Sequence, residues 1–595
     1  MGGVVIFDRH EDWVSGDDQI DGGLCHMFLA SATNSYQKCG VESDSLLEYS
    51  KFSLPWMHRR HLLLILISLV AVMAGYWLAG TLLPHLASRR IHSESASAPG
   101  RRVIFDASAP KLSEAASVPE LGRDDEAVAA GALPGQRILI FRDREAMERF
   151  LKRAGEQVRV IGRLDALNAL RVGVGNSKDL AALSDGDAQA SFVFPVDTPP
   201  APTEGKVQLG AVALGAGLLD WLGITGDNSA WGKGVRIAIL DTGVAASSAF
   251  TNPVTAVNLV DLPADLSKQD GHGTAVASVI IGQNSLTPGV APGAEVISIR
   301  IANDRGQSDS FLLAKGIVAA VDAGAQLINI SMGSFGDSVL VKNAIEYART
   351  AGALIFAAVG NQGSDRVSYP AADDGVIAVG AVDALGDHLD FSNTGNQVAI
   401  SAPGFGVNAV WTQDQAVRVS GTSFSSPIVA GAVAALMSQP GSARLSPQQA
   451  LGMLTASLND GGEAGNDPAL GAGMPDLGRV LSAKTPGIYD AAVASQRILP
   501  PSAGYPYGQI EVLIQNRGTE RLVNTMVSIS TDAGVVNSNI TSLPINAVQT
   551  ILVPIQQPVT VGMSYSSQVK LSGGLTDAKP ANDRRRSEKL DPRAE

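Results

Sequence analysis

Three short segments carry side chains that could transfer an acyl group. Arg236-Ile-Ala-Ile-Leu-Asp241 ends an apolar run in a carboxylate, Gly271-His272-Gly273-Thr274 puts an imidazole at the head of a second apolar stretch, and Gly421-Thr422-Ser423 puts a hydroxyl at the head of a third. A hydroxyl is a weak nucleophile at neutral pH. It needs an imidazole to take its proton and a buried carboxylate to hold the imidazole tautomer and stabilise the imidazolium. Asp241, His272 and Ser423 supply those parts. Each alone has a plainer reading: Asp-Thr-Gly also occurs in strand-end turns, a histidine at a helix start is often a surface residue, and a serine after Gly-Thr can be an N-cap. An aspartic protease needs two carboxylates sharing a proton, and the chain has no second Asp-Thr-Gly or Asp-Ser-Gly. Their joint occurrence, in the order Asp, His, Ser, points to a nucleophilic triad.

Such side chains must be carried by elements that converge. Near-continuous apolar runs at Val235–Leu240, Val296–Ile301, Leu327–Ile330, Leu354–Ala358 and Val376–Val379 alternate with helical segments, which predicts a mostly parallel sheet buried on both faces in a doubly wound α/β fold. Ligands bind such sheets at the carboxyl ends of the strands, where Asp241 and Asn361 fall. Ser423 is expected to open a long helix over 423–438, whose amino-terminal amides favour negative charge; Pro427 is tolerated in its first turn.

The wording around these residues resembles the subtilisin-like serine proteases, or subtilases: VRIAILDTGV, DGHGTAVASVI, GVAPGAEVISIRI, INISMGS, FAAVGNQG, YPAADDGVIAVGAV and SGTSFSSPIVAGAVAALM. The resemblance implies that Asn361 is the oxyanion-hole asparagine, with the Ser423 backbone amide as second donor. It also implies that Ser331-Met332-Gly333 and Ala358-Val359-Gly360 are the two backbone strips that line the P1 pocket and pair with an extended substrate, with the loop Gln362–Ser368 shaping the pocket floor. The family's usual second histidine and following glycine are here Ala275 and Ser278; its Met-Ala after the serine is Phe424-Ser425, and a later histidine is Ile428. No cofactor is required for the chemistry. The Gln283–Pro288 loop is shorter than the segment that supplies a calcium site in many subtilases, and structural calcium is left open.

With 595 residues, the chain is too long for one core. It has 45% hydrophobic and 17% charged residues, 63 glycines and a net charge of −13, a globular composition that argues against nucleic acid as a partner. Both cysteines, Cys25 and Cys39, precede the hydrophobic run, so the chain beyond that run holds neither a disulfide framework nor a thiolate metal site. Residues 1–56 read as an extension ahead of a mis-assigned start, because Met57 stands where a signal sequence would begin. Residues 57–84 read as a signal-anchor: Leu62–Leu83 is uncharged and long enough to span a membrane, comes after Met57-His-Arg-Arg-His61, and is succeeded by Ala96-Ser-Ala98-Pro99, where proline hinders cleavage. Residues 85–136 read as a linker.

Over 137–204 the pattern is strand (Ile138–Phe141), helix (Asp143 as cap, Gly155 after its end, with Met147, Phe150, Leu151 and Ala154 on one face), strands at Val158–Ile161 and Leu170–Val174, helix Ser177–Leu183 and strand Phe192–Val196. This order resembles the ferredoxin-like α+β propeptide of subtilases, a chaperone and inhibitor whose tail lies in the active-site cleft; its cut is expected between Thr203 and Leu209. The catalytic domain is expected over 205–486, and 487–595 as an immunoglobulin-like β-sandwich with a tail. The expected function is that of a self-processing serine endopeptidase. Its partners are peptide or protein substrates, its own propeptide and a membrane through 62–83, with the protease part outside the cytosol, or secreted if the amino-terminal segment is cut. The alternatives are an inactive scaffold on the same fold, or an esterase or peptide ligase using the same triad.

Overall fold

A computed structural model describes residues 127–128, 130–173, 186–199, 208, 210–260, 270–439 and 444–588. The expected membrane segment, the helix at Ser177–Leu183 and all of the expected cleavage region but Gln208 lie outside these residues. Among the described residues no helix is long and apolar enough to cross a membrane.

The first strands, β1 (Gln136–Phe141), β2 (Arg159–Leu164), β3 (Ala169–Gly173) and β4 (Ala188–Phe192), make an antiparallel sheet in the order β2-β3-β1-β4. Between β1 and β2 runs the helix Arg144–Ala154, whose first turn is closed by the Asp143 carboxylate accepting from the Ala146 amide at 2.7 Å. Met147, Phe150 and Ala154 are buried against Leu139, Phe141, Leu170 and Val172, with Leu151 packed at the rim. The strand expected at Phe192–Val196 is two pieces. The chain leaves the sheet after Phe192, and β5 (Pro195–Asp197) pairs elsewhere; Pro195 has no amide to continue a ladder.

The largest sheet has seven strands, all parallel. Along the chain come β6 (Arg236–Asp241), β7 (Val254–Asn258), the tiny hairpin β8 (Gln283–Asn284) and β9 (Thr287–Pro288), β10 (Glu295–Arg300), β11 (Gln307–Asp309), β12 (Leu327–Ile330), β13 (Leu354–Ala358), β14 (Val376–Val382) and β15 (Val398–Pro403); the sheet order is β15-β14-β13-β12-β6-β10-β7. Side chains along β6 alternate between two cores. Ile237 and Ile239 join the helices His272–Ile281 and Thr422–Met437, whereas Ala238 and Leu240 join Ser310–Asp322 and Val339–Thr350. A strand covered on both sides is apolar at every position, which is why these runs are continuous in the sequence. The chain proceeds from β6 to one side (β7, β10) and then returns to the other (β12 to β15), so the order reverses at the β6/β12 boundary, where Leu240 lies beside Ile330. A crevice opens at the carboxyl ends of such a pair. The hairpin β16 (Val407–Val410) and β17 (Ala416–Val419) precedes the helix Thr422–Met437.

Beyond the helix Leu477–Ser482, β18 (Ala491–Leu499), β19 (Gln509–Asn516) and β22 (Val548–Pro554) form one antiparallel sheet; β20 (Leu522–Thr531), β21 (Gly534–Leu543), β23 (Ser564–Lys570) and β24 (Arg584–Glu588) form another. Val493, Val512, Ile514, Val527, Ile529 and Val569 fill a shared core. This part is seated on the parallel-sheet part through the buried Arg479 guanidinium, which donates to the carbonyls of Ser457, Leu458 and Arg517 and to the side-chain oxygens of Asn459 and Asn546.

Candidate active site

Asp241 is the last residue of β6 and is fully buried. His272 is the first residue of its helix, all ten residues of which are buried. Both Asp241 carboxylate oxygens lie 2.9 Å from His272 Nδ1. An ionised carboxylate only accepts, so Nδ1 carries the proton and Nε2 is left as the basic nitrogen. The pair is braced from behind. The Thr242 amide donates to Asp241 Oδ1 at 2.7 Å, and the Thr242 hydroxyl accepts from the Gly273 amide (3.1 Å) while donating to the Asp270 carbonyl (3.0 Å). The Asp270 carboxylate accepts from the His272 amide at 3.0 Å, and the Phe424 ring lies 5.5 Å from the imidazole. Burial pulls the His272 pKa down, but the Asp241 charge, its hydrogen bond and the Asp270 charge outweigh that, and the value lies above the ordinary histidine range. Burial pushes the Asp270 carboxyl up.

Ser423 is the second residue of a helix buried throughout. Its hydroxyl donates to the Ser331 carbonyl at 3.2 Å and not to the imidazole. Asn361 stands three residues past β13, and its Oδ1 accepts from the Thr422 amide (2.9 Å) and hydroxyl (2.8 Å). That fixes the acceptor end of the carboxamide and leaves its NH2 edge beside Gly421. Gly421 has φ +136, and a Cβ there would come within 2.8 Å of Asn361 Nδ2. The chain can enter the serine helix against this amide only with glycine.

The two expected backbone strips follow β12 and β13. The Met332 and Val359 side chains are fully buried in the core, so only their backbones can face a substrate. Gly333 already has a strand partner: its amide donates to the Asp197 carbonyl (3.0 Å), and the Asp197 amide donates back (3.2 Å). Asp197 belongs to β5, which also pairs with β11. The same amino-terminal part is held by the Arg171–Asp309 ion pair at 2.6 Å, both members largely buried, and by exchanged bonds between Phe194 and Ser310.

Sequence reading missed several contributors. Asp270 could have been noticed as a carboxylate two residues ahead of the histidine. Asn393, whose Oδ1 takes the Gln362 and Ser364 amides while its NH2 donates to the Val359 carbonyl, sits in a polar stretch with no period and carried no signal. Phe424 and Ser278 stood out only as departures from the family wording. Ser278 donates to the Ala275 carbonyl (2.7 Å) and accepts the Val410 amide (2.9 Å), tying the histidine helix to β16, and Ile428 is core. The residues of the β8–β9 hairpin do not fit calcium: it carries no carboxylate, and Asn284 Oδ1 is already taken by the Leu286 and Thr287 amides and the Thr287 hydroxyl. Among the described residues no group of three or more His, Cys, Asp or Glu is set to hold a metal.

A model of the subtilase family matches residues 232–473. The thermostable alkaline protease of Halalkalibacterium halodurans is 36% identical over 211 residues, 35% of this chain and 58% of the relative. Subtilisin DY of Bacillus licheniformis is 35% identical over 214 residues, 35% of this chain and 78% of the relative. The chain belongs to the subtilase family of serine proteases. It spans just over half the length of the first of these relatives. The crystal structure of fervidolysin from Fervidobacterium pennivorans, a keratinolytic enzyme related to subtilisin, superposes with a TM-score of 0.50 at 20% identity over 77% of this chain and 76% of that one, a likeness of fold.

Proposed function

We propose that this chain is a serine endopeptidase in which Asp241, His272 and Ser423 form the triad and Asn361 the oxyanion hole, made as a zymogen that processes itself. The observation that carries the reading is the Asp241 carboxylate held at 2.9 Å on His272 Nδ1, with the Phe424 ring from the head of the serine helix 5.5 Å from that imidazole and Asn361 bound to Thr422 in the same helix turn. For reaction, the Ser423 hydroxyl turns from the Ser331 carbonyl toward Nε2 and gives up its proton as Oγ attacks the peptide carbonyl. The developing oxyanion is met by Asn361 Nδ2 and the Ser423 amide, with the helix amino terminus adding favourable potential. The imidazolium, stabilised by Asp241, returns the proton to the leaving amine, and water repeats the sequence on the acyl-enzyme. The substrate binds as an extended strand along Ser331–Gly333 and Ala358–Gly360, where main-chain bonds supply affinity regardless of sequence.

Zymogen behaviour is supported by the tail of residues 137–204 occupying Gly333. The sheet order β2-β3-β1-β4 with a helix after β1 supports a ferredoxin-like propeptide. The paired antiparallel sheets of 487–588 support an immunoglobulin-like module. Anchoring through 62–83, with the protease outside the cytosol, completes the proposal. A serine-directed fluorophosphonate tests the core of it: wild type is expected to be labelled at Ser423 and Ser423→Ala not at all. A folded wild-type protein that stays unlabelled would instead indicate a scaffold.

A further inference from the structure

Position 427 leaves a gap in the serine helix. In an α-helix the carbonyl of residue i accepts from the amide of i+4. For Ser423 that residue is Pro427, inside the helix, which has no amide proton. The Ser423 carbonyl is nonetheless satisfied: the Ser331 hydroxyl donates to it at 2.7 Å. Having spent its proton there, Ser331 Oγ accepts from Asn329 Nδ2 at 2.9 Å, and Asn329 Oδ1 in turn accepts from the Ser426 hydroxyl at 2.8 Å. The direction of every bond is set, because each hydroxyl has one proton and the carbonyl can only accept.

We propose that Ser331, Asn329 and Ser426 are positioning residues that supply the bond Pro427 removes and so fix the backbone of the nucleophile. The proposal rests on the reading of Ser423 as nucleophile. Asn329, Ser331 and Ser426 are fully buried. Asn329 and Ser331 are two apart at the end of β12 and so share a sheet face, the one toward the serine helix, whereas Ile328 and Ile330 lie in the opposite core. A buried amide and hydroxyl in a strand otherwise apolar cost stability unless every polar atom is paired, and here the pairing converges on one carbonyl. Ser331 also accepts the Ser423 hydroxyl on its own carbonyl, so two opposed bonds hold Ser423. Without this relay of bonds, the first turn is free to shift. A misplacement of about 1 Å costs on the order of 10²-fold in rate.

The test measures the second-order rate of fluorophosphonate labelling, which needs no peptide pairing, together with kcat and KM on a cleaved peptide, for processed wild type, Ser331→Ala, Pro427→Ala, the Ser331→Ala/Pro427→Ala double variant and Ser331→Thr. Ser331→Ala is expected to slow labelling by about 10- to 100-fold and to lower kcat in proportion, with KM changed less than about twofold. Ser331→Thr keeps the hydroxyl and is expected to retain most of the rate. The double variant is expected to recover much of the loss, because Pro427→Ala returns a backbone amide to the Ser423 carbonyl. Unchanged labelling of Ser331→Ala, or a loss that neither the double variant nor threonine recovers, overturns the proposal. Should Ser331→Ala fail to fold, Ser426→Ala reads the far end of the relay: slower labelling supports the proposal and a wild-type rate overturns it. Wild type that is not labelled at Ser423 refutes the nucleophile assignment itself and takes this proposal with it.

Discussion

Asn361 is bound by its oxygen to Thr422, and its NH2 edge lies beside Gly421. Asn361→Ala is therefore expected to lower kcat by roughly 10²–10³, a magnitude measured on a subtilisin, while KM hardly moves, because the donor matters mainly to the developing oxyanion; steady-state kinetics on any cleaved peptide decide it, and a change confined to KM would make Asn361 a binding residue. His272 must be neutral to act as base. Its pKa is raised, since burial is outweighed by Asp241 and Asp270, so the acid limb of kcat/KM is expected above pH 6.5. Asp270→Asn retains an oxygen for the His272 amide but removes the charge, and should move that limb to lower pH. The stability that the protonated imidazole contributes is complete below its unfolded value near 6.5 and is lost as pH rises through the folded one. The pairing of Asp241 with His272 was legible because triad chemistry prescribes residue types, and the order Asp, His, Ser matches the subtilase arrangement of them. Asn393 and Asn329 were not, because their partners are set by folding: Asn329 meets Ser426 across 97 positions of sequence.

The apolar runs announced β6, β10, β12, β13 and β14, since a strand covered on both faces leaves no polar positions to blur the pattern. The break at Val193-Phe194 was not announced, because it depends on where β5 finds its partner, β11 and Gly333. At the entry to the serine helix one residue type decides the geometry. Gly421→Ala forces a side chain into φ +136 and against the Asn361 amide, at a cost of about 1–3 kcal/mol. The expected outcome is a lower midpoint in denaturant together with a kcat loss approaching that of Asn361→Ala; a loss of stability with normal kcat would mean that the entry turn does not hold the amide. On the loop leading into β14, burial pushes the Asp373 carboxyl up to about 7, and one of its oxygens has no hydrogen-bond partner. An acid whose folded value is raised binds more protons folded than unfolded, so it lowers stability as pH rises from about 4 to 7. Asp373→Asn should flatten the stability profile over that interval, as chemical denaturation at pH 5 and pH 8 would register.

For the molecule as a whole, the amino-terminal part is held to the parallel-sheet part by a strand pairing, the Phe194–Ser310 bonds, a shared apolar core and the buried Arg171–Asp309 ion pair. Removing one partner of such a pair costs about 3–5 kcal/mol. Arg171→Ala, supplied as the separated 127–199 segment or within the intact chain, should weaken inhibition by on the order of 10²-fold or more, as progress curves on a peptide substrate would record. Ser423→Ala should accumulate unprocessed, whereas wild type yields a fragment beginning between Thr203 and Leu209; equal processing of both, in a host without related proteases, would sink self-maturation. The Arg479 contacts bear on when the enzyme becomes whole. Two of its five acceptors, the Arg517 carbonyl and the Asn546 side chain, lie 38 and 67 residues downstream. During synthesis the parallel-sheet part leaves the ribosome before these two acceptors, so the buried Arg479 guanidinium at its junction with the carboxyl-terminal sheets stays incompletely satisfied until residue 546 has emerged. Translation thus sets a clock: a chain stalled before residue 546 is expected to remain protease-sensitive and, if Ser423 is the nucleophile, unlabelled by the fluorophosphonate.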